Sequence, residues 1–318
     1  MTGTDAVAGP YAPTSPCTPA CLPEPPSAEA LDVAWRRLRI VRRLAAVAVV
    51  VLAGLLLAAV APLLGTDRAG RVERLWAVVL LTVAGVRVRR RGAGTPAGAL
   101  VVANHVSWLD VLALTAVAPM RMLAKREVRD WPLIGTMAAR TGTVFLDRER
   151  LHALPEAVGA VASALRAGAT VGVFAEGTTR CGRARGVFRP AAFQAALDAG
   201  APVVPVALAY RDAAGAPLPA AAFVGDDMLL SSLARVAGAP RVVVDVDVRP
   251  ALASAGVAAA GPGRSGPRRE LARRCAASVE ASLVPTGPVT APGAVTGPGP
   301  VTGPAARPTA PAEVARAA

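Results

Sequence analysis

Residues 101–112 read VVANHVSWLDVL, and this stretch decides how the rest of the chain is read. It places His105 and Asp110 between an apolar run, residues 99–103, and a second apolar run that follows. The first run predicts a buried strand, and the residues after it predict the start of a helix. A histidine at such a junction has the chemistry of a general base, because imidazole titrates near neutrality. Five residues on a regular helix subtend about 500°, leaving two side chains about 140° apart. His105 therefore belongs before the helix or in a distorted first turn. Ser107 and Asp110 also match the Ser-x-x-Asp pattern of a capping box, so Asp110 has a structural role open to it. The His-x4-Asp spacing alone does not decide between the two.

Outward from this stretch, apolar runs alternate with helix-like ones. The strand-like runs are residues 99–103, 120–124, 143–146, 170–174, 203–209 and 242–248. The helix-like runs are residues 109–116, 127–140, 154–166 and 190–199, with a final amphipathic helix expected over 268–283. This alternation predicts an α/β domain with a mixed, largely parallel sheet flanked by helices. Residues 242–248, VVVDVDV, predict an edge strand with one wet face. Pro205 is expected to break the strand over residues 203–206. Ligands of open α/β sheets gather at strand C-terminal ends. There the chain has Asp147 and Arg148 after one strand, and Glu176, Gly177, Thr178, Thr179 and Arg180 after another. Arginine suits phosphate because its donors form a planar fork. Each stretch alone also reads as a solvated loop with a surface ion pair.

Residues 1–34 are rich in Pro, Ala, Thr and Ser and predict a disordered segment. Residues 35–91 predict membrane-attachment helices. Within them, Arg36, Arg37, Arg39, Arg42 and Arg43 precede an uncharged run over residues 44–64, long enough for the bilayer's hydrocarbon core. A signal peptide fits poorly, because residues 1–43 precede the run. A buried core helix is a further alternative. The run crosses the bilayer or dips into one leaflet and returns, and its length does not separate the two. A second apolar run, residues 75–86, is too short to span and is flanked by arginines. Arginines on both sides predict a cell-membrane protein with its main domain, residues 92–284, on the cytoplasmic side. Residues 285–318 predict a disordered Pro/Gly/Thr-rich tail.

The formal net charge is +13, and aromatic residues make up only 3% of the 318 residues. Without interleaved aromatics or a nucleic-acid motif, the charge points to anionic lipid or a phosphorylated substrate, not nucleic acid. Cys17, Cys21, Cys181 and Cys275 form no Cys-x2-Cys pair and have no histidine at zinc spacing. They predict thiols in a reducing compartment, and no metal site.

The ordered blocks NHVSWLD, AKREVRDWPLIG, VFLDR, FAEGTT and VVPVAL together resemble the 1-acylglycerol-3-phosphate acyltransferase family of glycerolipid and lysophospholipid acyltransferases. The resemblance covers residues 75–248. It implies a glycerol-3-phosphate acyltransferase-like fold. It also implies acyl transfer from acyl-CoA or acyl carrier protein to the hydroxyl of 1-acylglycerol-3-phosphate, giving phosphatidic acid. His105 matches the family's catalytic histidine and Asp110 its partner. Arg148 matches a residue associated with the acceptor phosphate, and Glu176, Gly177 and Thr178 match the acceptor-binding block, with Thr179 and Arg180 beside it. No cofactor is implied beyond the thioester co-substrate; the partners are membrane lipid and the lysophospholipid acceptor. The third block commonly reads Phe-Pro-Glu-Gly-Thr-Arg. Here Ala175 stands for the proline, and Thr179 moves the arginine to position 180. This leaves lyso-ornithine lipid open as the acceptor. A serine lipid hydrolase would need a Gly-x-Ser-x-Gly elbow, which is absent. The non-enzymatic alternative is a basic membrane scaffold with a structural histidine.

Overall fold

A computed structural model of the chain describes residues 15–23, 30–60, 63, 65–147, 153–183, 186–255 and 265–283. Two long helices, α1 (Ala30–Val60) and α2 (Thr66–Val83), lead into a sheet built from β1 (Val86–Gly92), β2 (Leu100–Ala103), β3 (Arg121–Lys125), β4 (Val144–Leu146), β5 (Val171–Phe174), β6 (Val203–Arg211) and β7 (Val242–Val248). The helices between and after the strands are α3 (Leu109–Val117), α4 (Ile134–Arg140), α5 (Leu154–Arg166), α6 (Ala191–Ala199), α7 (Leu229–Gly238) and α8 (Ser265–Leu283).

The strand order is β1-β7-β6-β2-β5-β3-β4. Every pairing is parallel except β6 with β7. The sheet is thus mixed and largely parallel, as the alternation of runs predicts. All four β2 residues are buried. Val101 and Ala103 join an apolar cluster with Leu109, Ala113 and Leu114 of α3; Leu100 and Val102 join another with Phe193 of α6 and Leu271 of α8. Covering both faces requires an unbroken apolar strand, which is why β2 shows no alternation. From β2 the chain passes through α3 to β3, beyond β5; from β5 it passes through α6 to β6, on the other side of β2. The strand order reverses between β2 and β5, and at such a point open α/β sheets bind ligands beyond the strand carboxyl ends.

Several expectations are corrected. Residues 242–248 are not an edge strand: β7 lies between β1 and β6. Its aspartates meet protein donors: Asp245 accepts from Arg89 Nε at 2.6 Å and Arg211 Nε at 2.9 Å, one arginine from each neighbouring strand, and Asp247 accepts from Arg249 and Ser282. One edge of the sheet is β1, whose sequence VRVRRRG reads as the basic flank of a membrane helix but pairs with β7 over its whole length. Pro205 does not break its strand. Val203 N donates to Leu252 O, and Arg249 N donates to Pro205 O, on the side of β6 facing residues 248–252. The ladder to β7 begins at Val206, so the proline sits where no N–H is needed. The helix expected over 127–140 is two pieces, a 3-10 turn over Arg126–Asp130 and then α4. Pro132 and the positive φ of Leu133, 64°, separate them. Helix α7 is an element that periodicity missed.

The N-terminal region is also more ordered than its composition suggests. Residues 15–23 lie on the domain, with a 3-10 turn at Pro19–Cys21 and Cys17 buried. Helix α1 starts at Ala30 and continues through the basic cluster to Val60. Residues 1–14 and 24–29, and the tail expected over 285–318, lie outside the described residues. Helix α1 is long and apolar enough to cross a membrane, and only 6% of its apolar stretch is buried. Leu52 and Leu56 are exposed along it. Its basic end is held by the domain: Arg39 Nη1 donates to Gly238 O at 3.0 Å, and Arg43 Nη1 donates to Ala237 O and Ala239 O at 3.0 and 2.6 Å. These carbonyls belong to the C-terminal end of α7, where guanidinium charge complements the helix dipole. Further along, Trp76 of α2 donates to Val50 O at 2.8 Å. The two helices form a hairpin whose open ends both meet the domain, α1 at α7 and α2 through β1.

Replacing Asp245 by Ala leaves Arg89 and Arg211 without their shared acceptor. Loss of charged hydrogen bonds of this kind costs about 1–3 kcal/mol. Denaturant unfolding of the purified variant in detergent is expected to show a stability loss in that range.

Candidate active site

The site begins where β2 ends. Asn104 continues the ladder with its side chain: its Nδ2 donates to Leu208 O at 3.0 Å and its Oδ1 accepts from Leu208 N at 2.8 Å. An amide side chain here imitates a peptide, so the chain leaves the sheet at a fixed point with its hydrogen bonds satisfied. His105 follows, with 19% of its side chain exposed. Its Nδ1 lies 2.9 Å from Asp110 Oδ2. His105 precedes α3 and Asp110 sits in its first turn, which removes the 140° separation of a regular helix.

Asp110 is fully buried. Its Oδ2 also accepts from Val106 N at 2.6 Å and Ser107 N at 2.9 Å. The capping role and the histidine contact, alternatives in the sequence, are performed by one oxygen. The other oxygen, Oδ1, accepts from Tyr210 Oη at 2.5 Å. Burial, followed by the charge of Asp110, holds the Tyr210 hydroxyl well above the usual tyrosine range, so it remains a donor. Because the carboxylate accepts at Oδ2, His105 Nδ1 carries its proton there and Nε2 is left with the lone pair. Phe174, the last residue of β5, stacks on the imidazole with centroids 3.8 Å apart and planes 4° from parallel. A ring in this position fixes the imidazole plane.

The loop after β5 closes the site. Gly177, with φ 75°, makes the turn, and its N–H donates to Phe174 O at 3.1 Å. Glu176 is buried; its Oε2 accepts from His105 N at 3.3 Å and its Oε1 from Gly186 N at 3.1 Å. Arg180 N donates to His105 O at 2.8 Å. The guanidinium turns back, with Nε 4.0 Å from Glu176 Oε2. That Nε is buried with no hydrogen-bond partner among the described residues. A Cβ on Gly186 would lie 2.5 Å from Arg180 Nε and 2.8 Å from Glu176 Cγ, so only glycine lets the loop cross here. Thr178 and Thr179 are half-buried between Gly177 and Arg180.

The structure therefore brings together His105, Asp110, Glu176, Gly177, Thr178, Thr179 and Arg180. Arg148 lies outside the described residues; its neighbour Asp147 pairs with Arg126 at 3.0 Å on the surface. Sequence reasoning missed Asn104, Tyr210 and Gly186. Period-two alternation puts Tyr210 on the same face of β6 as Val204, Val206 and Leu208, the face that packs under α3. That was the available signal, although the register of β6 beside β2 could not be read from sequence.

Burial holds the Glu176 carboxyl above the ordinary glutamate value, against the opposing pull of the Gly186 and His105 amides and of Arg180. Between the unfolded and folded values the folded chain keeps a proton that the unfolded chain has lost, so stability falls as pH rises through that window. Glu176→Gln is expected to remove this component, flattening the stability profile above about pH 4.5 in denaturant titrations. Tyr210→Phe is expected to cost about 1–3 kcal/mol, the penalty for taking one partner from a buried charged group.

Comparison with known proteins bears on the same segment. The acyltransferase family profile matches residues 84–209, from just before β1 into β6. A 1-acyl-sn-glycerol-3-phosphate acyltransferase of Neisseria gonorrhoeae is 39% identical over 165 residues, covering 51% of this chain and 64% of the relative. That of Neisseria meningitidis serogroup B is 43% identical over 131 residues, covering 41% of this chain and 51% of the relative. The chain thus spans between half and two thirds of the length of these two. A lyso-ornithine lipid O-acyltransferase of Pseudomonas aeruginosa is 36% identical over 229 residues, covering 69% of this chain and 81% of the relative. Among solved structures, the 1-acyl-sn-glycerophosphate (LPA) acyltransferase PlsC from Thermotoga maritima superposes with TM-score 0.57 at 19% identity, covering 80% of this chain and 99% of that one, which is a likeness of fold. A profile match that takes in the His105, Asp110 and Glu176 segments, joined to a relative spanned over four fifths of its length, places this chain in the acyltransferase family.

Proposed function

We propose that the protein transfers an acyl group from acyl-CoA or acyl carrier protein to the free hydroxyl of 1-acylglycerol-3-phosphate, giving phosphatidic acid. The observation that carries this reading is the imidazole of His105. Its Nδ1 is held by a buried, saturated carboxylate, its ring is stacked, and its main chain is bonded to the loop bearing Arg180. A lipid hydroxyl is a weak nucleophile at neutral pH. As its oxygen attacks the thioester carbonyl carbon, its proton passes to His105 Nε2. Asp110 stabilises the imidazolium formed. The tetrahedral intermediate collapses with cleavage of the C–S bond, and the imidazolium returns the proton to the departing thiol. No covalent acyl-enzyme is required, and no cofactor beyond the thioester.

Arg180 supplies charge for the acceptor phosphate. Its unsatisfied Nε beside Glu176 supports this role, with Arg148 as a second anchor. The exposed apolar surface of α1 seats the protein in the cell membrane, where the lysolipid lies, with the domain on the cytoplasmic side. A second acceptor, lyso-ornithine lipid, is favoured by the Pseudomonas relative, which shares more of its length with this chain than the two Neisseria proteins do. Ala175 and the displaced Arg180 mark where such a difference would reside.

The test is incorporation of one labelled acyl-CoA into a panel of lysolipids by the purified chain. Lysophosphatidic acid is expected to be acylated fastest; a preference for lyso-ornithine lipid would replace the acceptor while retaining the reaction. His105→Ala is expected to lose about 10²–10⁴ in rate with unchanged unfolding behaviour. Undiminished transfer by that variant would overturn the proposed mechanism.

A further inference from the structure

Three of the four cysteines come together at the back of the site loop. Cys17 and Cys21 lie in the proline-rich N-terminal segment, and Cys181 follows Arg180 directly. Their sulfurs all lie within 4.8 Å of one another. The 3-10 turn at Pro19–Cys21 performs the gathering: Cys21 N donates to Thr18 O at 2.9 Å, folding Cys21 back toward Cys17. Cys-x3-Cys lies within the ligand spacing that zinc sites use, so the lack of a Cys-x2-Cys pair is no obstacle. Cys181 N donates to Cys17 Sγ at 3.3 Å. An amide aimed at a sulfur is the kind of outer partner that metal-bound ligands have. Cys17 and Cys181 are buried, whereas Cys21 is half-exposed and leaves a way in from solvent.

We propose that Cys17, Cys21 and Cys181 form a trithiolate site for a soft divalent cation, zinc, that clasps the N-terminal segment to the loop bearing Arg180. In a tetrahedral site with Zn–S bonds of about 2.3 Å, sulfurs stand about 3.8 Å apart, so the observed cluster needs only a slight contraction. Water takes the fourth position, on the open side at Cys21. Binding replaces the three thiol protons, which leave to solvent, and affinity therefore rises with pH. The site explains why a segment with the composition of a disordered leader is seated on the domain. The segment's own packing rests on Cys17, Cys21 and Leu22 against the apolar core, and the cation ties that packing to the site loop. The role is structural: the cation steadies residues 180–182, and through the Arg180 N–H bond the carbonyl of His105.

The test uses the purified full chain, reduced and stripped of metal, titrated with Co²⁺ as a spectroscopic substitute. The expected result is one cobalt per chain, with visible bands of tetrahedral geometry and a near-ultraviolet thiolate charge-transfer band. Zn²⁺ should displace both and raise the unfolding midpoint. Cys21→Ala, at a half-exposed position, is expected to abolish the charge-transfer band and the zinc-dependent shift while leaving the metal-free unfolding midpoint unchanged. Absence of the band in the parent chain would overturn the proposal. So would a band that persists in Cys21→Ala, or a disulfide between two of these cysteines in chain isolated without reductant.

Discussion

One buried carboxylate sets the terms for this structure. Asp110 has no exposure to solvent, and an ion in that position must have its charge met by donors. It receives them from two main-chain amides, a tyrosine hydroxyl and an imidazole. Each donor comes with a structural obligation. The amides of Val106 and Ser107 require a tight turn between β2 and α3. The hydroxyl of Tyr210 requires β6 to lie beside β2 in one register. The imidazole must then point along the one direction left. The geometry of the histidine is thus the remainder after a buried charge has been satisfied.

The loop after β5 depends on that remainder. Glu176 accepts from the His105 amide and Arg180 donates to the His105 carbonyl, so the loop is tied to both polar groups of the histidine's main chain. Gly186 lets a third strand of chain pass over Glu176 and Arg180. The arginine and the histidine are therefore not independent modules. A displacement of the arginine moves the histidine backbone, and the altered FAEGTTR block has to be accommodated within that coupling.

Much of this was legible in sequence. The α/β alternation predicts the mixed sheet, and the boundaries of residues 242–248 agree with β7. The strand-end positions of His105, Asp110, Glu176 and Arg180 predict their convergence at a crevice. What was not legible depends on pairing across distance. The alternation in β7 has the same pattern whether water or arginines from β1 and β6 meet Asp245. The run VRVRRRG has the composition of a helix flank, and only its register with β7 makes it a strand. Pro205 looks like a breaker until the ladder gap opposite it is known. The cysteines look scattered because Cys21 and Cys181 stand 160 positions apart in sequence. Local composition speaks to what a segment can do alone, and each of these segments acts through a partner.

The clamp of Arg39 and Arg43 on the end of α7 bears on substrate encounter. An anchor joined by a loose tether lets an enzyme sample a volume above the bilayer in every orientation, most of them unproductive. Helix α1, the anchor under the proposed function, is bolted to the domain by guanidinium bonds, so orientation is set when the chain folds. Under the proposed function, with α1 in lipid, the search for the acceptor becomes two-dimensional diffusion with a constant stand-off between the site and the membrane surface. Membrane thickness and helix tilt then act as geometric control variables, because any change in the seating of α1 is transmitted as a change in the depth of the histidine.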